Sequence, residues 1–284
     1  MKKLFIYLRE YKKECVFAPL FKMLEASFEL FVPLVVAAII DTGIAHADKG
    51  YVIRMCLLLF LLALIGLTCA VTAQYFSAKA AVGFATKLRH ALFSHLQGLS
   101  FSEVDTIGTS TMITRMTSDI NLLQNGVNMA LRLFLRSPFV VFGAMIMAFT
   151  IDFKAALSFV GAIILLSIVV FGIMYLNIPM MKSVQAKLDD VLLTARENLT
   201  GIRVIRAFCK EDEELARFRQ KNEELTRMQK KSGSISGLTN PLTYVIINFA
   251  IIVLIWTGAL QLQKGILTQG QVVALYNYMS QILV

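Results

Sequence analysis

Charge is scarce in this 284-residue chain: Asp, Glu, Lys and Arg make up 17% of it, against 57% hydrophobic residues. At a mean hydropathy of +0.66, a soluble domain could not hide its apolar surface, so the chain reads as an integral membrane protein. Cysteine is sparse too. Cys15, Cys56, Cys69 and Cys209 show no paired or ligand spacing and read as reduced or lipid-buried small side chains. His46, His90 and His95 make no zinc pattern, so no metal site is expected. The five prolines fall in or beside apolar runs, where membrane helices tolerate them. Also missing are G-x-x-x-x-G-K-[ST], the loop whose amides cradle ATP phosphates, and any nucleophile–base pairing. No catalytic residue is therefore expected, and the chain cannot hydrolyse ATP alone. Acids are outnumbered, for a net charge of +9. The bases flank apolar spans rather than forming one surface, so a membrane accounts for them and nucleic acid does not.

What is present is a series of long apolar helical patterns. Residues 1–14 set Lys2, Lys3, Arg9, Lys12 and Lys13 among Leu4, Phe5, Tyr7, Leu8 and Tyr11, the pattern of an interfacial amphipathic helix. Spans are predicted at about 16–40, 52–76, 133–151, 155–178 and 242–262, with a sixth beginning at 269–284. The second pattern runs on through Phe84, Leu88, Leu92, Leu96 and Leu99. It totals roughly 70 Å as helix, more than twice the ~30 Å hydrocarbon core, so it must project well beyond the membrane. The sixth span offers about 16 residues where about 20 are needed, so the expectation is a truncated sixth helix in a longer polypeptide. Of the 28 Lys and Arg, only Lys49, Arg54, Lys154 and Lys264 lie on or beside the three short loops. The positive-inside rule then places the N-terminus and both long hairpins in the cytosol. The lone Trp256 falls near the opposite interface.

Two charged stretches interrupt the apolar pattern. The first runs from Ser100 to Ile120, where Gly108 and small polar residues stop one helix and start another. The second lies between Arg196 and Leu215. Thr200 and Gly201 break the incoming helix, and Glu211, Asp212, Glu213 and Glu214 suit the positive end of the outgoing one. Between them, Arg203, Arg206 and Lys210 fall on one side at helical spacing, and Ile202, Ile205 and Cys209 on another, with Phe208 close by. By pattern alone, both stretches also fit solvated caps of helical hairpins.

The second stretch resembles the second intracellular turn of ATP-binding cassette (ABC) exporters, "E-N-x-x-G-I-R-x-I-R-A-F-x-x-E", through Glu197, Asn198, Gly201, Ile202, Arg203, Ile205, Arg206, Ala207, Phe208 and Glu211. The first resembles their first intracellular turn through Gly108, Thr109, Thr114, Arg115, Thr117 and Asp119. Thr109 and Ser110 after the glycine are similar to the multidrug exporters that work as heterodimers. The resemblance covers essentially the whole chain. It implies an all-α membrane protein: the six-helix transmembrane domain of an ABC exporter, with long cytosolic helix extensions.

By that resemblance, one coupling helix comprises Thr106, Ile107, Gly108, Thr109, Ser110, Thr111 and Met112, with Arg115. The other comprises Gly201, Arg203, Val204, Ile205, Arg206, Ala207, Phe208, Lys210 and Glu211. Both would dock on nucleotide-binding domains outside this chain, which carry ATP and Mg2+. The implied partners are those domains, the bilayer, a hydrophobic small-molecule substrate, and a second half-transporter, with a heterodimer favoured over a homodimer. The expected activity is export of amphipathic or hydrophobic compounds across the bacterial cytoplasmic membrane. A lipid or peptide exporter, a subunit that docks an ATPase without transporting, and an ion-driven carrier or channel stay open.

Glu25, Glu29, Pro33, Ala37 and Asp41 step by four and share a face. Carboxylates facing lipid are costly, so that face should line a bundle interior or wet cavity. The candidate cavity residues are Glu25, Glu29, Arg132, Arg136 and Asn248. Two roles compete for the acids: a charge site for substrate, or structural pairing with Arg132 or Arg136.

Overall fold

The computed structural model describes residues 2–282. Met1, Leu283 and Val284, and the side chains of Lys2, Lys3 and Phe5, lie outside the described residues, and with them the ends of the expected interfacial helix and sixth span. Among the described residues the chain is all helical. A 3-10-wound segment, Lys2–Tyr11, leads into α1 (Lys12–Ala38), and a π-wound turn, Ile39–Ile44, follows it. Then come α2 (Lys49–Gln97), α3 (Phe101–Ile107), α4 (Thr109–Thr114), α5 (Ile120–Leu133) and α6 (Arg136–Ile151). The rest is α7 (Phe153–Thr200), α8 (Ile202–Ala207), α9 (Glu211–Gly237), α10 (Thr239–Gln263) and α11 (Gln269–Gln281). Five helical stretches are long and apolar enough to cross a membrane. At 49 and 48 residues, α2 and α7 each extend roughly 70 Å.

Two compact units divide the chain: residues up to Ala156 together with Leu254–Ile282, and Leu157–Val253. In the first, α1 packs against α2, α6 and α11. Phe17 and Phe21 of α1 lie against Phe76 of α2, and small residues are buried on both helices. Cys69, Ala73, Ser77, Ala81 and Ala85 step by four along α2 and are all buried, as are Ala18 and Ala26 of α1. Small side chains let two backbones approach closely, which is how helices associate where lipid removes the hydrophobic drive. Ser77 then donates to the Asn128 side-chain oxygen and, at 3.1 Å, to the Asn128 carbonyl, fixing α5 beside α2.

The helix leading into the third span, predicted at about 133–151, is interrupted at the span's start. Pro138 cannot donate to the Phe134 carbonyl and its ring crowds that oxygen. The helix accordingly stops at Leu133 and restarts at Arg136.

The π-wound turn clasps α11 beside α1. Asp41 accepts from the Thr268 hydroxyl and from the Gly270 N–H at 2.8 Å. Thr268 itself caps α11, in a box with Gln271. Position 270 must be glycine because a Cβ there would press on the Ala37 carbonyl and lie 2.6 Å from the Asp41 carboxylate. Further along, the fully buried Tyr278 hydroxyl donates 2.6 Å to the Leu30 carbonyl. These contacts hold α1 and α11 in antiparallel register.

In the second unit, the far half of α7 and helix α9 form a hairpin joined by polar contacts. Ser232 donates to Asn177 at 2.8 Å, Lys187 pairs with Glu224 at 2.6 Å, and Lys221 donates to the buried Thr194 hydroxyl at 2.8 Å. Pro179 is accommodated inside α7.

Replacing Asp41 with alanine should remove two hydrogen bonds to a charged group, a loss of about 1–3 kcal/mol. The readout is a lower Tm with faster amide exchange at the start of α11; unchanged exchange there would show that the clasp does not hold the helix.

Candidate functional site

Two places carry the chemistry: a cleft in the first unit and the two interhelical turns. Glu29, Val32, Arg136, Ser137, Val140, Val141, Gln281 and Ile282 line the cleft, about 350 Å³ in volume, where α1, α6 and α11 meet. Glu29 is roughly 18 Å along α1 from Asp41, and Gln281 is as far along α11 from its start. The clasp and the cleft therefore sit at matched depths of the same helix pair.

Glu29 is paired. One Arg136 Nη donates to both its oxygens, at 3.2 and 2.9 Å. The break at Leu133–Arg136 puts this arginine at the first position of α6, and the four-residue stripe on α1 aims Glu29 at it. The pair is only part-buried, with 44% of the Glu29 side chain and 23% of Arg136 exposed. Glu25 is buried and paired within α1, its two oxygens each 2.7 Å from Lys22 Nζ. A second groove, lined by both acids together with Phe28 and Gly66, runs between α1 and α2. Both acids are ion-paired: Arg136 serves Glu29, and Lys22, one turn before Glu25, serves the other. Arg132 lies on α5, half-buried, outside the cleft lining. Asn248 belongs to the second unit, where its amide donates to the Tyr244 carbonyl at 2.8 Å.

Sequence reasoning missed Gln281 and Ser137 in the cleft. It also missed Tyr278, one of two tyrosines on a helix of mixed polarity.

The turns differ in detail from expectation. Thr106, Ile107, Gly108, Thr109, Ser110, Thr111 and Met112 do not form one helix. Gly108 takes φ 79°, ψ 136° and separates α3 from α4; that left-handed φ stops α3 and favours glycine. Arg115 starts a π-wound turn, Arg115–Asp119. Ser100 and Glu103 form a capping box that starts α3: the Glu103 carboxylate accepts from the Ser100 N–H at 2.8 Å and its hydroxyl at 2.7 Å.

In the second turn Gly201 makes a one-residue break, and α8 carries Arg203, Val204, Ile205, Arg206 and Ala207. The stripe expected to run on to Cys209 and Lys210 is cut, because Cys209 adopts φ 52° and the chain leaves the helix at Phe208. Lys210 pairs instead with Glu213 across the start of α9, which opens at Glu211. The apolar surface is displayed all the same, with Phe208 72%, Val204 60% and Ile202 41% exposed.

Among the described residues the chain is all helical, with five helical stretches long and apolar enough to cross a membrane. The chain belongs to the ABC transporter transmembrane region family, whose match covers residues 15–284. It is 29% identical over 279 residues to an uncharacterised ABC transporter ATP-binding protein of Mycobacterium tuberculosis, covering 98% of this chain and 48% of that protein. A protein of the same description in Bacillus subtilis is 27% identical over 282 residues, 99% of this chain and 49% of its own length. An ATP-dependent lipid A-core flippase of Desulfotalea psychrophila is 28% identical over 184 residues, 64% of this chain and 32% of that protein. The chain thus spans about half the length of the first of these curated relatives.

Two outcomes follow from this geometry. Glu29→Gln or Arg136→Gln alone should cost about 1–3 kcal/mol by stranding the partner charge, and the double variant less than the sum; additive Tm losses would show the pair to be uncoupled. The Ser100 N–H, then its hydroxyl, hold the Glu103 carboxyl below its ordinary value. A folded pKa below the unfolded one means the box stabilises at higher pH and is lost as pH falls through the folded value. Protection of the Phe101–Ile107 amides should therefore fall on acidification to below the ordinary glutamate range, and a fall of the same size in Glu103→Gln would discount the box.

Proposed function

We propose that this chain is the transmembrane half of an ATP-driven exporter of amphipathic or hydrophobic molecules. It would pair with a second half-transporter in the cytoplasmic membrane, N-terminus in the cytosol. ATP and Mg2+ would sit on nucleotide-binding domains outside this stretch, since it has no glycine-rich loop to cradle phosphate. The observation that carries the reading is α8. A six-residue helix with exposed Ile202 and Val204, followed by exposed Phe208, lies at the far end of the hairpin formed by α7 and α9. Water-facing apolar groups on a charged turn suit docking into a cleft on another domain. The far end of α7, from Pro179 to Thr200, is roughly 30 Å of helix, and its polar contacts to α9 make the hairpin a lever that carries motion from the docked turn. In the first unit, α3 and α4 around Gly108 would form the other docking point. Multidrug-type transport and preference for a heterodimer belong to this proposal as well.

A second reading concerns the cargo. The two acids of α1 that line the grooves are already matched by cations, Glu25 by Lys22 and Glu29 by Arg136. The cleft therefore offers polar contacts without surplus negative charge, which favours neutral or zwitterionic amphiphiles over cationic drugs. One relative is named as a lipid A-core flippase, in keeping with lipid-like cargo.

The test uses the full-length gene product in proteoliposomes. Phe208→Asp should leave insertion intact and basal ATP hydrolysis within a few-fold, while ATP-driven transport of a short-chain phosphatidylcholine analogue falls at least tenfold. Transport at the unsubstituted rate would refute the docking role of α8, and faster export of a cationic dye than of the zwitterionic analogue would refute the cargo reading.

A further inference from the structure

Between Arg9 and Glu14 the N-terminal segment carries two acids and three bases. Its acids face α2: Glu10 pairs with Lys87, and Glu14 with Lys79 at 2.9 Å. Between those lysines Gly83 gives way to the Tyr11 ring, which a Cβ at that position would strike. The bases Arg9 and Lys12 make no ion pair or hydrogen bond among the described residues. They sit instead at the mouth of an apolar groove.

That groove is built in two connected stretches. The first, about 710 Å³, is lined by Ile6, Leu8, Arg9, Lys12 and Leu131 as well as Cys15 and Val16. The second, about 540 Å³, shares Cys15 and Val16 and continues along α1 past Pro19, Leu20 and Met23 to Ser27. Leu131, Leu135 and Phe139 supply the opposite wall, one turn apart across the break before α6. No acid lines either stretch. Ser27 turns its hydroxyl inward to the Met23 carbonyl at 2.9 Å, so the far end is apolar. From Lys12 to Ser27 the groove runs roughly 22 Å, enough for a headgroup region plus one leaflet's half of the ~30 Å hydrocarbon core.

We propose that this groove holds one anionic phospholipid, its phosphate against Arg9 and Lys12 and an acyl chain along α1 between Val16 and Ser27. Two unpaired cations at one end, an acid-free apolar channel of one-leaflet length, and removal of the neighbouring acids to the other side of the segment together define a headgroup and a tail. A bare phosphate would need only the cations, and bulk lipid would need neither cations nor channel. The site is separate from the cleft at Glu29 and does not rest on the transport reading.

The test is native mass spectrometry of the full-length gene product released from nanodiscs of phosphatidylglycerol and phosphatidylcholine. Both nanodisc leaflets have the same composition, so the outcome is independent of which way the N-terminus faces. One phosphatidylglycerol should be retained in preference to phosphatidylcholine. An Arg9→Gln, Lys12→Gln double variant should hold it about 30-fold less tightly, at about 1 kcal/mol per basic residue near an anionic surface. A Lys230→Gln, Lys231→Gln control, which removes two bases on α9, should hold it unchanged. Val16→Trp, which fills the channel and spares the cations, should also expel the lipid. The proposal is overturned by equal retention in the Arg9/Lys12 variant, by retention in Val16→Trp, or by displacement with soluble glycerol phosphate, which would show that the cations bind a phosphate without its tail.

Discussion

A carboxylate placed in hydrocarbon must be answered from within the fold, and α1 with the π-wound turn that follows it carries three on one face. Lys22 answers Glu25 from the preceding turn, Arg136 answers Glu29 from α6, and the Thr268 hydroxyl and Gly270 amide answer Asp41 from α11. The last two answers each fix a neighbour. Arg136 sets how α6 approaches α1, and Asp41 sets the register of α11, which Tyr278 repeats at Leu30. Hydrophobicity cannot do this between helices in lipid, because the surroundings are as apolar as the side chains. The polar groups therefore decide which helices adjoin α1 and at what height, and small residues decide how closely they approach.

The same division applies to α2. Its buried stripe from Cys69 to Ala85 contains nothing larger than cysteine at the four-residue steps, which leaves room for a neighbouring backbone, as where Ser77 meets the Asn128 carbonyl of α5. Beyond Ala85 the stripe passes to leucines, while Lys79 and Lys87 hold the N-terminal segment through Glu14 and Glu10. An unbroken 49-residue helix braced in this way along one flank resists bending. That is the mechanical property a helix needs if displacement at one end is to be felt at the other.

Much of this was legible from sequence because it depends on periodicity. Long apolar spans, helices too long for the membrane, and breaks at Gly108 and Gly201 are all local properties. The inward face of α1 was legible as well, since four-residue spacing needs no tertiary knowledge. What spacing cannot show is who answers a charge across the chain: Glu29 and Arg136 are 107 positions apart, and nothing local distinguishes Arg136 from Arg132. The break that puts Arg136 at a helix start depends on Pro138, a signal available in the sequence but hidden inside an apolar run. The α8 stripe was drawn too far because cysteine is not a residue expected at φ 52°; only the folded turn reveals that the helix has ended.

Exposure means different things in different parts of this chain. Most apolar side chains on the membrane-length helices are uncovered, and in lipid this costs nothing, so they say little about partners. On α8 the reckoning is reversed. It lies between Gly201 and a run of four acids, beyond the stretches apolar enough to span a membrane. An apolar group held in water there forgoes roughly 25 cal/mol for each Å² left uncovered, and a buried Phe side chain is worth about 1.5–3 kcal/mol. Ile202, Val204 and Phe208 forgo it together within seven residues, while the adjacent arginines keep the turn soluble. A fold that answers even its carboxylates internally would gain by replacing these three with polar residues, unless a surface outside this chain covers them. That asymmetry between satisfied charges in the membrane and unsatisfied apolar groups on the turn is the strongest physical reason to regard α8 as half of an interface.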